Sequence, residues 1–195
     1  MLHNKFFEIL KQYSEDYSKE IYCRELTKKV SLSQKNIALT LEELEKKGIL
    51  NSRKVANIKY YKLNLTNKTI KDVLFIVEVL NKIRFLENHL KIANIFKKDD
   101  PSRIVGIFGS YARGTEKKDS DLDVFIVGDE ASEDYDKIGK IFNINVSTKY
   151  FSEKELKTLL KEKNNLIKEI VKDHVMILNT EKFINLIWRY HYGHD

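Results

Sequence analysis

An α+β fold of two domains joined by a long helix is what the sequence predicts, and three stretches carry that prediction. In the second half, the apolar run Ile104-Val105-Gly106-Ile107-Phe108 reads as a short buried strand ending on Gly109-Ser110, and Val124 to Val127 reads as the next strand. The first half shows helical apolar stripes followed by two short alternating runs, the pattern of helices and a β-hairpin. Between them, apolar residues recur at helical spacing from Thr69 to Phe96 without a proline, as in one amphipathic helix. The expected division is residues 1–66, a linker helix within 67–100, and residues 101–195, with the sole proline, Pro101, at the second boundary.

Phe6, Phe7, Ile9, Leu10 and Tyr13 give His3 to Ser14 one apolar stripe, so this stretch is expected as the first helix. A second, short helix is expected over Tyr22 to Lys29, with Leu26 and Val30 inward. Ser33 is placed to cap a third helix in which Ile37, Leu41 and Leu44 recur at i, i+4 and i+7, and Lys46-Lys47-Gly48 is a helix end. Ile49–Arg53 and Ile58–Leu65 then read as strands around Lys54-Val55-Ala56-Asn57.

Three helices and a hairpin in that order resemble a winged helix-turn-helix, with Leu32 to Leu65 similar to the recognition helix and wing of many prokaryotic regulators. The resemblance implies double-stranded DNA as a partner. Ser33, Gln34, Lys35, Asn36 and Thr40 are the donors expected at base edges in the major groove. From Lys46 through Lys71 there are eight Lys or Arg and no Asp or Glu, which puts Arg53, Lys54 and Lys59 at DNA phosphates. A solvated face of a protein-binding module accounts for the same charge run, and both readings stay open. The long helix that follows packs either on a second copy, making a homodimer, or on its own C-terminal domain.

Gly109 lets the backbone turn under a ligand, and Ser110 is placed as the N-cap of the next helix, so N–H groups and a hydroxyl converge on an arriving anion. Asp121 and Asp123 lie two apart on the following strand, where alternation points both carboxylates to one face. Paired carboxylates repel unless a cation stands between them, and Mg²⁺ favours one or two carboxylates plus substrate phosphates. The pair alone fits the wet face of an edge strand. Joined to the Gly-Ser turn, Arg113 and the Ser120-Asp121 step, it points to a nucleotide or metal-phosphate site. No G-x-x-x-x-G-K-[ST] or G-x-G-x-x-G occurs.

This pattern, Gly109-Ser110-x-Ala112-Arg113-Gly114, a spacer, then Ser120-Asp121-x-Asp123, is similar to the DNA polymerase β-like nucleotidyltransferase superfamily, over about residues 100–190, and the small size resembles its minimal branch. The resemblance implies that Gly109 and Ser110, with Ser120 beside them, hold the triphosphate of an NTP. It also implies that Asp121 and Asp123 are catalytic and bind two Mg²⁺ (or Mn²⁺) ions, and that Arg113 orients the helix or approaches the phosphates. Active members usually carry a third carboxylate on the next strand. Between Asp136 and Glu153 this chain has none, and Asn145, between Ile144 and Val146, is the closest equivalent. An amide oxygen can ligate Mg²⁺ but brings no charge and cannot act as a base. Two functions follow: an enzyme that transfers a nucleoside monophosphate from an NTP to a hydroxyl of a protein or small molecule, or a DNA-binding regulator whose inactive second domain senses a nucleotide or a partner.

Beyond the site, Tyr135 to Phe142 is expected as a helix, Asn143 to Phe151 as a strand, and Ser152 as the cap of a helix starting at Glu153. Asn164–Lys172, His174–Leu178 and Glu181–Tyr190 are expected as helix, strand and helix, which makes a small mixed sheet. His174 is expected to be a strand residue with a satisfied hydrogen bond; His191, His194 and Asp195 carry ligating groups but stand at a chain end. The net charge of +6 suits an anionic partner. A single cysteine, Cys23, excludes a disulfide framework and a cysteine-ligated zinc site. With no apolar run of membrane-spanning length and no signal-peptide pattern, a cytoplasmic protein with no membrane partner is expected.

Overall fold

The structure, a computed structural model, describes residues 5–97, 102–129, 135–162 and 164–192, with residues 190–192 described by their backbone alone. Pro101, the His191 side chain, His194 and Asp195 lie outside the described part. The chain forms two compact units, Met1–Val77 and Glu78–Asp195.

In the first unit, helix α1 (Lys5–Leu10) runs into a 3-10 turn at Lys11–Tyr13. Strand β1 (Ile21–Tyr22), helices α2 (Cys23–Leu26) and α3 (Gln34–Lys46), and strands β2 (Leu50–Val55) and β3 (Ile58–Leu63) follow. The strands form an antiparallel sheet in the order β1-β3-β2. Tyr22, expected in a helix, is therefore in a strand: it pairs with Tyr60 and packs its ring edge-on at 5.5 Å. A strand of two residues is too short to show a period in sequence.

The Ser33 hydroxyl accepts from the Asn36 N–H and caps α3, which buries Ile37, Leu41 and Leu44. Gly48, at φ +68°, takes the left-handed turn that ends the helix. Side-chain amides of Asn64 and Asn67 both donate to its carbonyl at 2.9 Å. Under the sheet, the buried Tyr13 hydroxyl donates to the Tyr61 carbonyl at 2.9 Å.

Helix α4 (Ile70–Asn88) and helix α5 (Leu90–Ile95) replace the single helix expected from Thr69 to Phe96. The break is at His89, at φ −130° and ψ 56°. Its ring Nδ1 lies 2.8 Å from the Phe85 carbonyl, the acceptor that the residue 89 N–H would use in a continuous helix. The ring thus takes the place of the backbone bond that the break removes.

The second unit continues with β4 (Ile104–Phe108), α6 (Gly109–Arg113), β5 (Leu122–Val127), α7 (Tyr135–Ile141) and β6 (Val146–Phe151). Helices α8 (Glu153–Lys161) and α9 (Asn165–Lys172), strand β7 (His174–Leu178) and helix α10 (Thr180–Tyr192) complete it. The sheet order is β6-β5-β4-β7, mixed as expected: β4 is antiparallel to β5 and β7, and β5 is parallel to β6. One face buries Val105, Ile107, Leu122, Val124, Ile126, Val175 and Ile177 against Phe85, Ile92, Ile95 and Tyr135. The other carries Phe108, Phe125 and His174, with Phe183 of α10 packed on Phe125 and on the His174 ring. Edge strand β7 is covered by α4, since Asn81 donates to the His174 carbonyl at 3.3 Å and Lys82 to the Ile177 carbonyl at 3.2 Å. His174 bonds the Val171 carbonyl through Nδ1 at 3.0 Å and faces the buried Glu78 carboxylate at 3.6 Å. No helix among the described residues is long and apolar enough to cross a membrane.

Candidate functional site

Strand pairing sets Phe108 opposite Asp123, so the next residue, Gly109, falls against the Asp123 side chain. Gly109 is buried, has φ +72°, and a β-carbon on it would overlap the Asp123 carboxylate. No other residue type meets both conditions. The left-handed glycine turns the chain into α6 at once, with Phe108 as N-cap. Ser110 is consequently inside the first helical turn and is not the N-cap expected from sequence. Its carbonyl accepts from the Thr115 N–H at 3.0 Å, while its hydroxyl makes no hydrogen bond among the described residues.

Asp121 stands exposed one residue before β5, and Asp123 is half-buried within it. Burial is the main cause that raises the Asp123 carboxyl above its ordinary range; the charges of Asp121 and Glu169 add to it, and Lys149 with a hydrogen bond from Ser147 pulls it back. The parallel register of β5 and β6 explains that neighbourhood, because it sets Ser147 beside Asp123. Asn145, expected as the third ligand, is exposed one residue before β6, and its carbonyl accepts from the Leu122 N–H at 2.8 Å. It stands level with Asp121, so the residue next to Asp123 is Ser147 and not Asn145.

Among the described residues no three His, Cys, Asp or Glu side chains form a group able to hold a metal by themselves. The donor set still fits a divalent cation. Two like-charged carboxylates, one of them partly desolvated, suit an ion that takes its other ligands from phosphates and water.

Arg113 bonds Glu169 of α9 at 3.0 Å and lies 3.5 Å from Asp173, the residue that follows that helix. Arg113 thus ties the end of α6 to the end of α9, with two carboxylates beside its guanidinium. The Ser120 hydroxyl accepts from the Lys117 N–H at 2.8 Å and closes the turn before Asp121. Sequence reasoning missed Ser147, Lys149 and Glu169. Period two along β6 could have put the first two on the face of the aspartates, and the i, i+4 spacing of Glu169 and Asp173 marks one side of a helix.

In the first unit, Ser33, Gln34, Lys35 and Asn36 are exposed at the start of α3. Thr40 is buried, and its hydroxyl donates to the Asn36 carbonyl at 2.7 Å, so it is not a base contact. It follows Ser33 by nearly two turns and falls on the inward face beside Ile37, Leu41 and Leu44. The acid-free run Lys46–Lys71 is matched from outside itself. Glu20 holds Arg53 through two hydrogen bonds of 2.8 and 2.5 Å, and Glu45 holds Lys59 at 2.6 Å. Lys54 is exposed and has no ion pair among the described residues.

A family model described as "Nucleotidyltransferase domain" matches residues 89–189, just over half of the 195-residue chain. No curated protein and no solved structure gives a match.

Proposed function

Since the chain belongs to the nucleotidyltransferase domain family, we propose that its second unit binds an NTP with Mg²⁺ or Mn²⁺ and transfers a nucleoside monophosphate to a hydroxyl acceptor on a protein or a small molecule. The observation that carries this reading is the pair Asp121 and Asp123 set against the Gly109-Ser110 turn. Gly109 lets the Asp123 carboxylate close against the turn, and the unengaged Ser110 hydroxyl donates to a phosphate oxygen. Asp121 and Asp123 hold the divalent ions, which neutralise charge on the triphosphate when bound. The acceptor oxygen forms a bond to the α-phosphorus, the bond to the bridging oxygen breaks, pyrophosphate leaves, and the acceptor's proton passes to a base. Neither Asn145 nor Ser147 is such a base.

That last point favours a second reading, in which the site binds Mg-NTP without turnover and the chain is a regulator. For the first unit we propose a winged helix-turn-helix that binds duplex DNA. The order of α2, α3, β2 and β3 and the exposed donors Ser33 to Asn36 support it. Exposed Ile76 and Ile83 on α4 support pairing of that helix with a second copy. Incubation with labelled NTP, Mg²⁺ and candidate acceptors tests the enzyme reading. Pyrophosphate release that is lost in Asp121→Asn with Asp123→Asn is expected; nucleotide binding without release would leave the regulator reading, and no binding would overturn both.

A further inference from the structure

We infer that His89 is a positioning residue of this nucleotide site, clamping the loop that carries Asp121 to the helix that carries Ser110. The inference rests on the nucleotide-site reading above and adds residues that the motif does not contain. From Gly114 to Ser120 the chain has no regular structure, and most of it is exposed. Thr115 is tied back to Ser110, and Lys117 and Ser120 bond each other. Glu116 alone in this loop is turned away from solvent toward another element: its Oε1 lies 3.0 Å from Nε2 of His89, and its Oε2 is buried with no hydrogen-bond partner.

Both ring nitrogens of His89 are engaged. The Phe85 carbonyl, 2.8 Å from Nδ1, can only accept, so Nδ1 carries a proton. The bond from His89 is the main cause that holds the Glu116 carboxyl below its ordinary range, which keeps it ionised. Glu116 thus engages the second ring nitrogen of His89, as the Phe85 carbonyl engages the first. The same ring stacks on Phe85 at 4.3 Å and meets the edge of Tyr111 at 5.8 Å. Tyr111 directly follows Ser110, and Glu116 stands midway between Ser110 and Asp121. One side chain, fixed at the break between α4 and α5, thus grips the chain on both sides of the site. Asp121 lies just outside the sheet, so its carboxylate is only as well placed as this loop.

The test uses the full chain and the four common NTPs, each with Mg²⁺, in calorimetry. His89→Ala and Glu116→Ala are each expected to weaken binding about tenfold, as a displaced ligand group would. The double variant should be no weaker than His89→Ala alone, because Glu116→Ala removes only an interaction that His89→Ala has already removed. Glu116→Gln should lose less than Glu116→Ala, since its amide can still hydrogen-bond Nε2. In protein free of metal and nucleotide, amide exchange at Lys117 and Ser120 should quicken in His89→Ala, while that of Leu122, bonded to Asn145, should not. Unchanged affinity in both single variants, or losses that multiply in the double variant, would overturn the inference. If the wild-type chain binds none of the NTPs, the nucleotide-site reading falls by itself, and the exchange comparison then decides whether His89 holds the loop.

Discussion

The Asp123 carboxylate fills the space that a β-carbon on Gly109 would need. Nucleotide access and carboxylate placement are therefore one steric condition. Gly109→Ala meets both that overlap and a left-handed φ, and is expected to cost about 2–4 kcal/mol. Urea unfolding with and without Mg-NTP checks this, and the surviving folded protein should no longer be stabilised by the nucleotide.

The carboxylate pair makes a prediction about stability and metal. Asp123 titrates above its ordinary range because of burial first and Asp121 next. A raised folded value means that stability is present at low pH and lost as pH rises through that value, so ionised Asp123 destabilises the metal-free fold at neutral pH. Asp123→Asn should therefore raise the metal-free Tm at pH 7 and abolish any further rise on adding Mg²⁺ or Mn²⁺. A lower metal-free Tm would show that the carboxylate is not under strain from its neighbours.

Because Ser147 stands beside Asp123, a carboxylate introduced there should act on the metal more than one introduced at Asn145. Ser147→Asp is expected to tighten Mn²⁺ binding in titration calorimetry more than Asn145→Asp does. The reverse ranking would restore Asn145 as the third position of the site.

For the first unit, the acids paired with Arg53 and Lys59 compete with phosphates for the same cations. If the first unit binds duplex DNA as proposed, Glu20→Gln with Glu45→Gln should raise duplex affinity and steepen its dependence on log salt by up to about two units. Lys54→Glu should lower both, and Thr40→Val should leave DNA binding alone while costing about 1 kcal/mol of stability through the lost Asn36 bond. Fluorescence anisotropy across a salt series reads the DNA binding of all three variants, and urea unfolding reads the stability of Thr40→Val.

The buried Glu78–His174 pair gives the second unit its own pH response. Burial opposes the charge on His174, but Glu78 and the carbonyls around it outweigh burial and raise the histidine above its ordinary value. Its contribution is then full below the unfolded value, about 6.5, and is lost as pH rises through the folded one. Glu78→Gln should lower stability at pH 6 by about 3 kcal/mol and flatten the alkaline fall in Tm.

The strands other than β1 and most helices were legible because period and end signals coincide: Ser33 and Gly48 bracket α3, and Ser152 caps α8 while its own N–H donates to the Glu155 carboxylate. The Gly109-Ser110 and Asp121-Asp123 steps were legible because chemistry is written in adjacent residues. What was not legible depends on pairing across distance. The β5–β6 register put Ser147 beside Asp123, Glu20 reached Arg53 of β2 from before α2, and the His89 ring replaced a backbone bond that no periodicity reports.

Strand β4 gains its β5 neighbour soon after it is made, but its β7 neighbour only after α6 to α9 have been added. During synthesis, an apolar strand therefore emerges with one hydrogen-bonding edge open while residues 128 to 173 are still being translated. The β4 strand is the one that ends at Gly109, so a ribosome-bound chain has the complete nucleotide motif well before it has the sheet that holds it rigid. Competence to bind must then come late in the life of the nascent chain, and chaperone capture of that open edge is the hazard that this strand order builds in.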